Sequence, residues 1–277
     1  MMPTAFEKVM VDNHRGYQIY LSGNPSSPPL LLLHGFTGSH ASWNSIVPGL
    51  TQKYWIIVPD LPGHGESFVT ANRRDMALDV TAQDLAKILR DLGVKKSGVL
   101  GYSMGGRLAL HLGLYASSLV EFLILESTTA GIEDTLERSR RRYSDDDLAA
   151  QIDARGLEWF VQYWGNLSLF ATQNTLPPAV LEHQRQIRLS HKPYGLAQSL
   201  RAAGAGQQAS LWPILPYYRA PTLIIAGQHD DKYRTLGEKL HRLLPMSDLV
   251  VVDGAGHTVH LEQPEHFLSA VKHFNPK

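Results

Sequence analysis

One stretch constrains this chain more than any other: Gly98-Val99-Leu100-Gly101-Tyr102-Ser103-Met104-Gly105-Gly106-Arg107. It reads as a short apolar strand, a tight turn and a helix beginning near Met104. Ser103 sits on the turn with glycine two residues before and two after it, the G-x-S-x-G pattern. Side chains at 101 and 105 would crowd so sharp a turn, and glycine removes the crowding. The serine hydroxyl then stands at the carboxyl edge of a sheet. The Met104 N–H, at the start of the helix, points to where a negative oxygen could form. A serine held this way requires a base, a carboxylate behind the base, a second N–H donor and a pocket.

The surrounding chain supplies a sheet. Residues 5–21 alternate weakly around the turn Asn13-His14-Arg15-Gly16 and predict an antiparallel hairpin at a sheet edge. Leu30–Leu33 and Trp55–Pro59 are short continuous apolar runs, as expected of strands buried on both faces. A helix is expected from about Trp43 to Thr51. Another is expected over 75–92, where Met76, Val80, Leu85, Ile88 and Leu89 form one stripe and Gly93 closes it. Strand 99–100, the elbow, a helix from Met104 to about Tyr115 and strand Phe122–Glu126 follow. Strands and helices alternating at this spacing predict an α/β fold with a mostly parallel, doubly wound sheet. The rhythm breaks from 127 to 218, roughly ninety helical, polar residues best explained as a cap inserted over the strand ends. It resumes with strand 221–227, a helix over 233–244, strand 249–252 and a last helix over about 264–274. The expected division is a core of 1–126 and 219–277 with a cap of 127–218.

Serine is a poor nucleophile and a poor acid without an imidazole in reach, and the imidazole needs a carboxylate to set its tautomer. On this kind of scaffold the chain order is serine, acid, histidine. Asp230 follows the 223–226 strand directly, and His257 follows the 249–252 strand within Gly254-Ala255-Gly256-His257. Both fall on the edge that carries Ser103. Asp231 competes with Asp230 for the acid role. Of the thirteen histidines, His257 is singled out by its glycine-rich, post-strand setting. His34 is expected to shape the loop it opens, and His64, His229 and His260 are expected to be structural or surface residues. His34-Gly35-Phe36-Thr37 places the Phe36 N–H as the second donor. No H-x-x-x-H or paired-carboxylate spacing suggests a metal, and Gly63-His64-Gly65 lacks the lysine of a phosphate loop.

Composition narrows the partners. Formal net charge is zero, so no overall field draws nucleic acid or an anionic membrane. No cysteine is present, which excludes disulfides and thiolate catalysis. The longest apolar run, Pro28 to Leu33, is too short to cross a bilayer. Met1 to Met10 lacks a signal-peptide core. A cytoplasmic monomer acting on a small molecule is expected, with no metal or organic cofactor. The charge that does stand out is local. Arg107 lies one helical turn beyond Ser103. The run Arg138 to Arg142 precedes Asp145-Asp146-Asp147, and reads either as a solvated face with local ion pairs or as a grip for a polycarboxylate.

The motifs His34-Gly-Phe-Thr-Gly-Ser39, Asp60-Leu-Pro-Gly-His-Gly-Glu-Ser67 and Gly101-Tyr-Ser-Met-Gly-Gly-Arg107 resemble the α/β-hydrolase superfamily over the whole chain. Tyr102 to Leu110, Glu126-Ser127 before a basic helix, Gly195 to Arg201 and Ser210-Leu-Trp212 resemble one family within it. This is the 2-succinyl-6-hydroxy-2,4-cyclohexadiene-1-carboxylate synthases of menaquinone and phylloquinone biosynthesis. Ala130-Gly131 departs from the Pro-Gly usual there. The resemblance implies a lyase that eliminates pyruvate from 2-succinyl-5-enolpyruvyl-6-hydroxy-3-cyclohexene-1-carboxylate. It implies Ser103, Asp230 and His257 as the triad, Asp230 being selected by the pattern Gly-x-x-Asp-x-Lys-aromatic over Gly227 to Tyr233. It implies Phe36 and Met104 N–H groups as oxyanion donors, and Tyr102, Arg107, Arg141, Trp164 and Arg188 as substrate contacts. Ser103 with His257 would abstract a ring proton, with no acyl-enzyme. A hydrolase of a carboxylic ester or a carbon–carbon bond is the alternative, and a triad-retaining ligand receptor a third.

Overall fold

The computed structural model describes residues 4–276. Residues 1–3 and 277 lie outside it, so the reading of Met1 to Met10 and the outer ends of the two core segments are addressed only within that range. The strands are β1 (Thr4–Met10), β2 (Gly16–Ser22), β3 (Pro29–Leu33), β4 (Trp55–Pro59), β5 (Ser97–Tyr102), β6 (Val120–Glu126), β7 (Thr222–Gly227) and β8 (Ser247–Val252). They form one sheet in the order β1-β2-β4-β3-β5-β6-β7-β8. The β1–β2 hairpin and the β2–β4 pair are antiparallel, and every other pair is parallel.

Both faces of the central strands are covered, which is why β3 reads as an unbroken leucine run. Leu31 and Leu33 pack into one apolar layer, while Leu30 and Leu32 pack into the layer on the opposite face. Burying each such side chain contributes roughly 2 kcal/mol relative to exposure. The helices are α1 (Val47–Leu50), α2 (Leu78–Asp91), α3 (Met104–Tyr115), α4 (Thr135–Gly165), α5 (Pro178–Leu189), α6 (Pro193–Ala203), α7 (Asp231–Leu243), α8 (Val259–Glu262) and α9 (Pro264–His273). Residues of α2, α3 and α7 fill the first layer, and those of α1 and α9 the second. Between β6 and β7 lie α4, which breaks at Gly156, then a 3₁₀ turn Ser168–Thr175, α5, α6 and a second 3₁₀ turn Trp212–Tyr217. Ala149, Ile152, Phe160, Val161, Leu196, Ala197 and Leu200 give this region a small apolar core of its own.

Two expected helices are shorter than their patterns. The stretch from Trp43 to Thr51 is a 3₁₀ turn, His40–Trp43, followed by the single turn of α1. Pro48 and Gly49 suit a helix start or a turn better than a helix interior. The helix expected over 75–92 starts at Leu78, because Ala77 is extended (φ −66°, ψ 149°) and separates α2 from a 3₁₀ turn, Arg73–Met76.

The elbow requires its glycines. A Cβ on Gly105 would lie 1.9 Å from the Leu33 carbonyl oxygen, and one on Gly101 would lie 2.3 Å from the Gly105 carbonyl oxygen. These are backbone atoms of the central strand and of α3, and they cannot move aside. Gly105→Ala is therefore expected to lower stability by about 3 kcal/mol. Thermal unfolding checks this, and an unchanged midpoint would refute the close approach.

Candidate active site

Ser103 joins β5 to α3 with φ +51° and ψ −106°, a strained backbone for a residue with a side chain. Two hydrogen bonds hold it there. Ser103 N–H donates to the Glu126 carbonyl at 2.9 Å, and Thr128 Oγ1 donates to the Ser103 carbonyl at 2.7 Å. β6 and the loop after it thus fix the turn, and the hydroxyl faces the carboxyl edge.

Asp230 and His257 arrive from β7 and β8. His257 Nδ1 lies 2.6 Å from Asp230 Oδ2, and its Nε2 lies 3.2 Å from Ser103 Oγ. The carboxylate accepts a hydrogen bond from Nδ1–H, which fixes the tautomer and leaves Nε2 as the acceptor for the serine hydroxyl. Asp230 and His257 are both buried, whereas the Asp231 side chain is 87% exposed and pairs with Arg234. Asp230 also caps α7, where its Oδ1 accepts from the Tyr233 N–H at 3.3 Å. Two features not read from the sequence fix the His257 loop. Glu262 Oε2 accepts from the Gly256 N–H at 2.7 Å and Glu262 Oε1 from the Thr258 N–H at 3.0 Å. Thr258 Oγ1 meets Tyr102 Oη at 2.8 Å and accepts from Gln173 Nε2 at 2.9 Å.

Ser103, His257, Phe36, Tyr102, Met104, Arg107, Arg141 and Trp164 line one cavity of about 420 Å³. Among the described residues, neither the Phe36 nor the Met104 N–H has a protein acceptor. Arg107 is buried in the cavity wall, its Nη1 donating only to Gln208 Oε1 at 3.3 Å. No carboxylate among the described residues lies within 4 Å of it, and burial pushes its pKa down to about 10. Arg141 pairs with Asp145 at 2.8 Å, and both line the cavity. The basic run therefore carries a local ion pair, and one of its members, Arg141, lines the cavity.

Arg188 is not on the wall of that cavity. It lines a neighbouring cavity of about 490 Å³ in the region between β6 and β7, and a small one against Tyr102 and Phe36. Its guanidinium lies 5.4 Å from the Phe170 ring centre, and burial lowers its pKa. Sequence reasoning missed Lys232, Tyr233 and Phe170 on the main wall. Lys232 and Tyr233 were within the pattern that selected Asp230. Phe170 lies in a 3₁₀ turn with no periodic signal.

Four further histidines are held neutral. Burial pushes His34 and His111 down to about 4, and lowers His64 and His191 as well. The unfolded chain takes up these protons below about pH 6.5 and the folded chain does not, so stability falls as pH drops from 6.5 toward 4. Each group contributes about 1.4 kcal/mol per pH unit across its own window. Urea midpoints should fall steadily between pH 6.5 and 4.5, and a flat series would contradict the neutral assignment. His260 is also buried, paired through Nδ1 with Glu126 at 2.7 Å. Among the described residues, no helix is long and apolar enough to cross a membrane.

The α/β-hydrolase fold family matches residues 28–264. A Bacillus subtilis (strain 168) protein assigned as 2-succinyl-6-hydroxy-2,4-cyclohexadiene-1-carboxylate synthase is 38% identical, over 93% of this chain and 94% of its own length. The structure of MenH from S. aureus is similar at a TM-score of 0.88 and 35% identity, covering 94% of this chain and 97% of that one. A malate-bound thermophilic esterase from Thermogutta terrifontis is similar at a TM-score of 0.83 and 27% identity, covering 97% of each.

Proposed function

We propose, for a chain that belongs to the α/β-hydrolase fold family and within it to the 2-succinyl-6-hydroxy-2,4-cyclohexadiene-1-carboxylate synthases, that Ser103, His257 and Asp230 carry the family's reaction. The enzyme is a lyase of menaquinone or phylloquinone biosynthesis. It eliminates pyruvate from 2-succinyl-5-enolpyruvyl-6-hydroxy-3-cyclohexene-1-carboxylate. Residues 127–218 serve as the cap over the site, and the activity is placed in the cytoplasm.

The ring proton passes to Ser103 Oγ as the hydroxyl proton passes to His257 Nε2, and Asp230 stabilises the imidazolium. The electron pair from the broken C–H bond moves through the ring and expels the enolpyruvyl oxygen. Pyruvate leaves as its enolate and is then protonated. The Phe36 and Met104 N–H groups meet the developing charge. Arg107 and Arg141 hold carboxylates in the main cavity, Arg188 is a further contact from the small cavity against Tyr102 and Phe36, and Tyr102 and Trp164 shape the site.

The observation that carries this reading is Arg107. A buried guanidinium without a carboxylate of its own, in the same cavity as the serine, fits an anionic substrate far better than a neutral ester. The test is incubation with the enolpyruvyl substrate, following pyruvate release and diene absorbance. Release of one pyruvate per diene formed is the expected result. No turnover, together with rapid hydrolysis of a p-nitrophenyl ester, would favour the esterase alternative, for which the same triad and N–H pair also suffice.

A further inference from the structure

Three buried imidazoles stand in a row beside the Phe36 turn. The ring centres of His34 and His64 are 5.0 Å apart, and those of His64 and His191 are 5.3 Å apart. Each ring has a backbone N–H at one nitrogen and a carbonyl at the other, so each neutral tautomer is fixed. His34 Nε2 accepts from the Leu61 N–H at 2.9 Å, and its Nδ1–H donates to the Gly35 carbonyl at 2.8 Å. His64 Nε2 accepts from the Thr37 N–H at 3.2 Å, and its Nδ1–H donates to the Pro62 carbonyl at 3.1 Å. His191 Nδ1 accepts from the Gly65 N–H at 3.0 Å, and its Nε2–H donates to the Thr37 carbonyl at 2.9 Å.

Both polar backbone groups of Thr37 are therefore held by imidazoles. His64 comes from the loop after β4. His191 comes from the connection between α5 and α6. Thr37 needs holding, since its φ of +69° is unfavourable for a β-branched residue. It directly follows Phe36, which lines the Ser103 cavity and whose N–H has no acceptor among the described residues. The two histidine-bearing segments are also locked to each other. A Cβ on Gly63 would lie 2.4 Å from the Gly195 carbonyl oxygen, and one on Gly195 would lie 2.5 Å from that of Gly63. The Phe36 ring packs edge-on against His64 at 5.6 Å and against Trp164 of α4 at 5.2 Å.

We infer that His191 and His64 are positioning residues that clamp the Thr37 peptide and so set the direction of the Phe36 N–H. The region between β6 and β7 thereby completes the oxyanion hole without touching the reacting atoms. This inference rests on the reading of Phe36 as an oxyanion donor. A clamp of this kind acts on the rate of the chemical step and leaves ground-state binding alone.

The test uses His191→Leu, which removes both polar atoms, and His191→Gln, whose amide can still donate to the Thr37 carbonyl. Steady-state kinetics are read beside phosphonylation of Ser103 by a p-nitrophenyl alkylphosphonate. In that reaction an Oγ–P bond forms, p-nitrophenolate leaves and the serine proton passes to His257, while the phosphoryl oxygen occupies the N–H pair. His191→Leu should lose about tenfold or more in both kcat and phosphonylation rate, a part of what removing an oxyanion donor costs, with KM little changed. His191→Gln should recover most of both rates. If His191→Leu does not fold, His191→Asn takes its place, its shorter amide reaching the Gly65 N–H but not the Thr37 carbonyl. A folded variant with wild-type rates, or one that changes KM alone, overturns the clamp. A wild-type enzyme inert to the phosphonate overturns the oxyanion reading itself.

Discussion

Changing Ser103 to alanine is expected to lower kcat for pyruvate release by roughly 10²–10⁴-fold, the range for loss of a positioned acid–base group. KM should change little, because the hydroxyl makes its decisive contact only as the proton moves. Ser103 Oγ lies 3.2 Å from His257 Nε2, and the imidazole is tied through Nδ1 to Asp230 at 2.6 Å. In the proposed mechanism the three groups act as one proton-accepting unit. His257→Ala should therefore cost about as much as Ser103→Ala, and the double variant should cost no more than either single one. Pre-steady-state mixing of the wild-type enzyme should show no burst of bound product. A Ser103→Ala enzyme within threefold of wild type would mean that His257 takes the ring proton directly, and the serine would lose its proposed role.

Changing Arg107 to methionine is expected to move activity and stability in opposite directions. The guanidinium is 7% exposed and has no carboxylate partner among the described residues. Burial has already pushed its pKa down to about 10, so the free protein carries a charge it has not neutralised. In the proposed reaction a substrate carboxylate would supply the missing partner. Breaking a buried pair of this kind costs about 3–5 kcal/mol, which corresponds to roughly a hundredfold or more in KM. The same change replaces an unpaired buried cation with an apolar chain of similar length, so the melting temperature of the free protein should rise. Substrate titration and calorimetry on the two proteins check both halves. A normal KM would make Arg107 structural, and a lower melting temperature would show that its bond to Gln208, at 3.3 Å, stabilises more than burial of the charge costs.

Much of this architecture was legible because it repeats. The leucine run of β3 and the apolar run of β4 bury both faces, so neither alternates, and the elbow marks its own strand, turn and helix by glycine spacing. The order Ser103, Asp230, His257 followed from which loops leave the carboxyl edge. The choice between Asp230 and Asp231 did not follow from residue type. In space Asp230 caps α7 and lies 2.6 Å from His257 Nδ1, while the Asp231 side chain is exposed. The basic run was legible as charge but not as geometry, since the same helix face carries Arg141 in the cavity wall and its partner Asp145.

The sequence by itself determined the local devices: a glycine-flanked serine on a strained turn, an alternating βα order, and a histidine and an aspartate placed just past neighbouring strands. These are short-range properties, encoded within a few residues of each other. Only the tertiary structure decided which distant groups meet. It left Arg107 in the cavity wall with no carboxylate within 4 Å among the described residues, put Arg188 beside Phe170 and off the wall of the main cavity, and set Glu262 and Gln173 against the His257 loop. It also set His34, His64 and His191 edge to face along the Phe36 turn, across segments separated by 27 residues in one bond and 154 in another. Contacts over such separations depend on how helices pack over the sheet edge, and no periodicity in the chain records that packing.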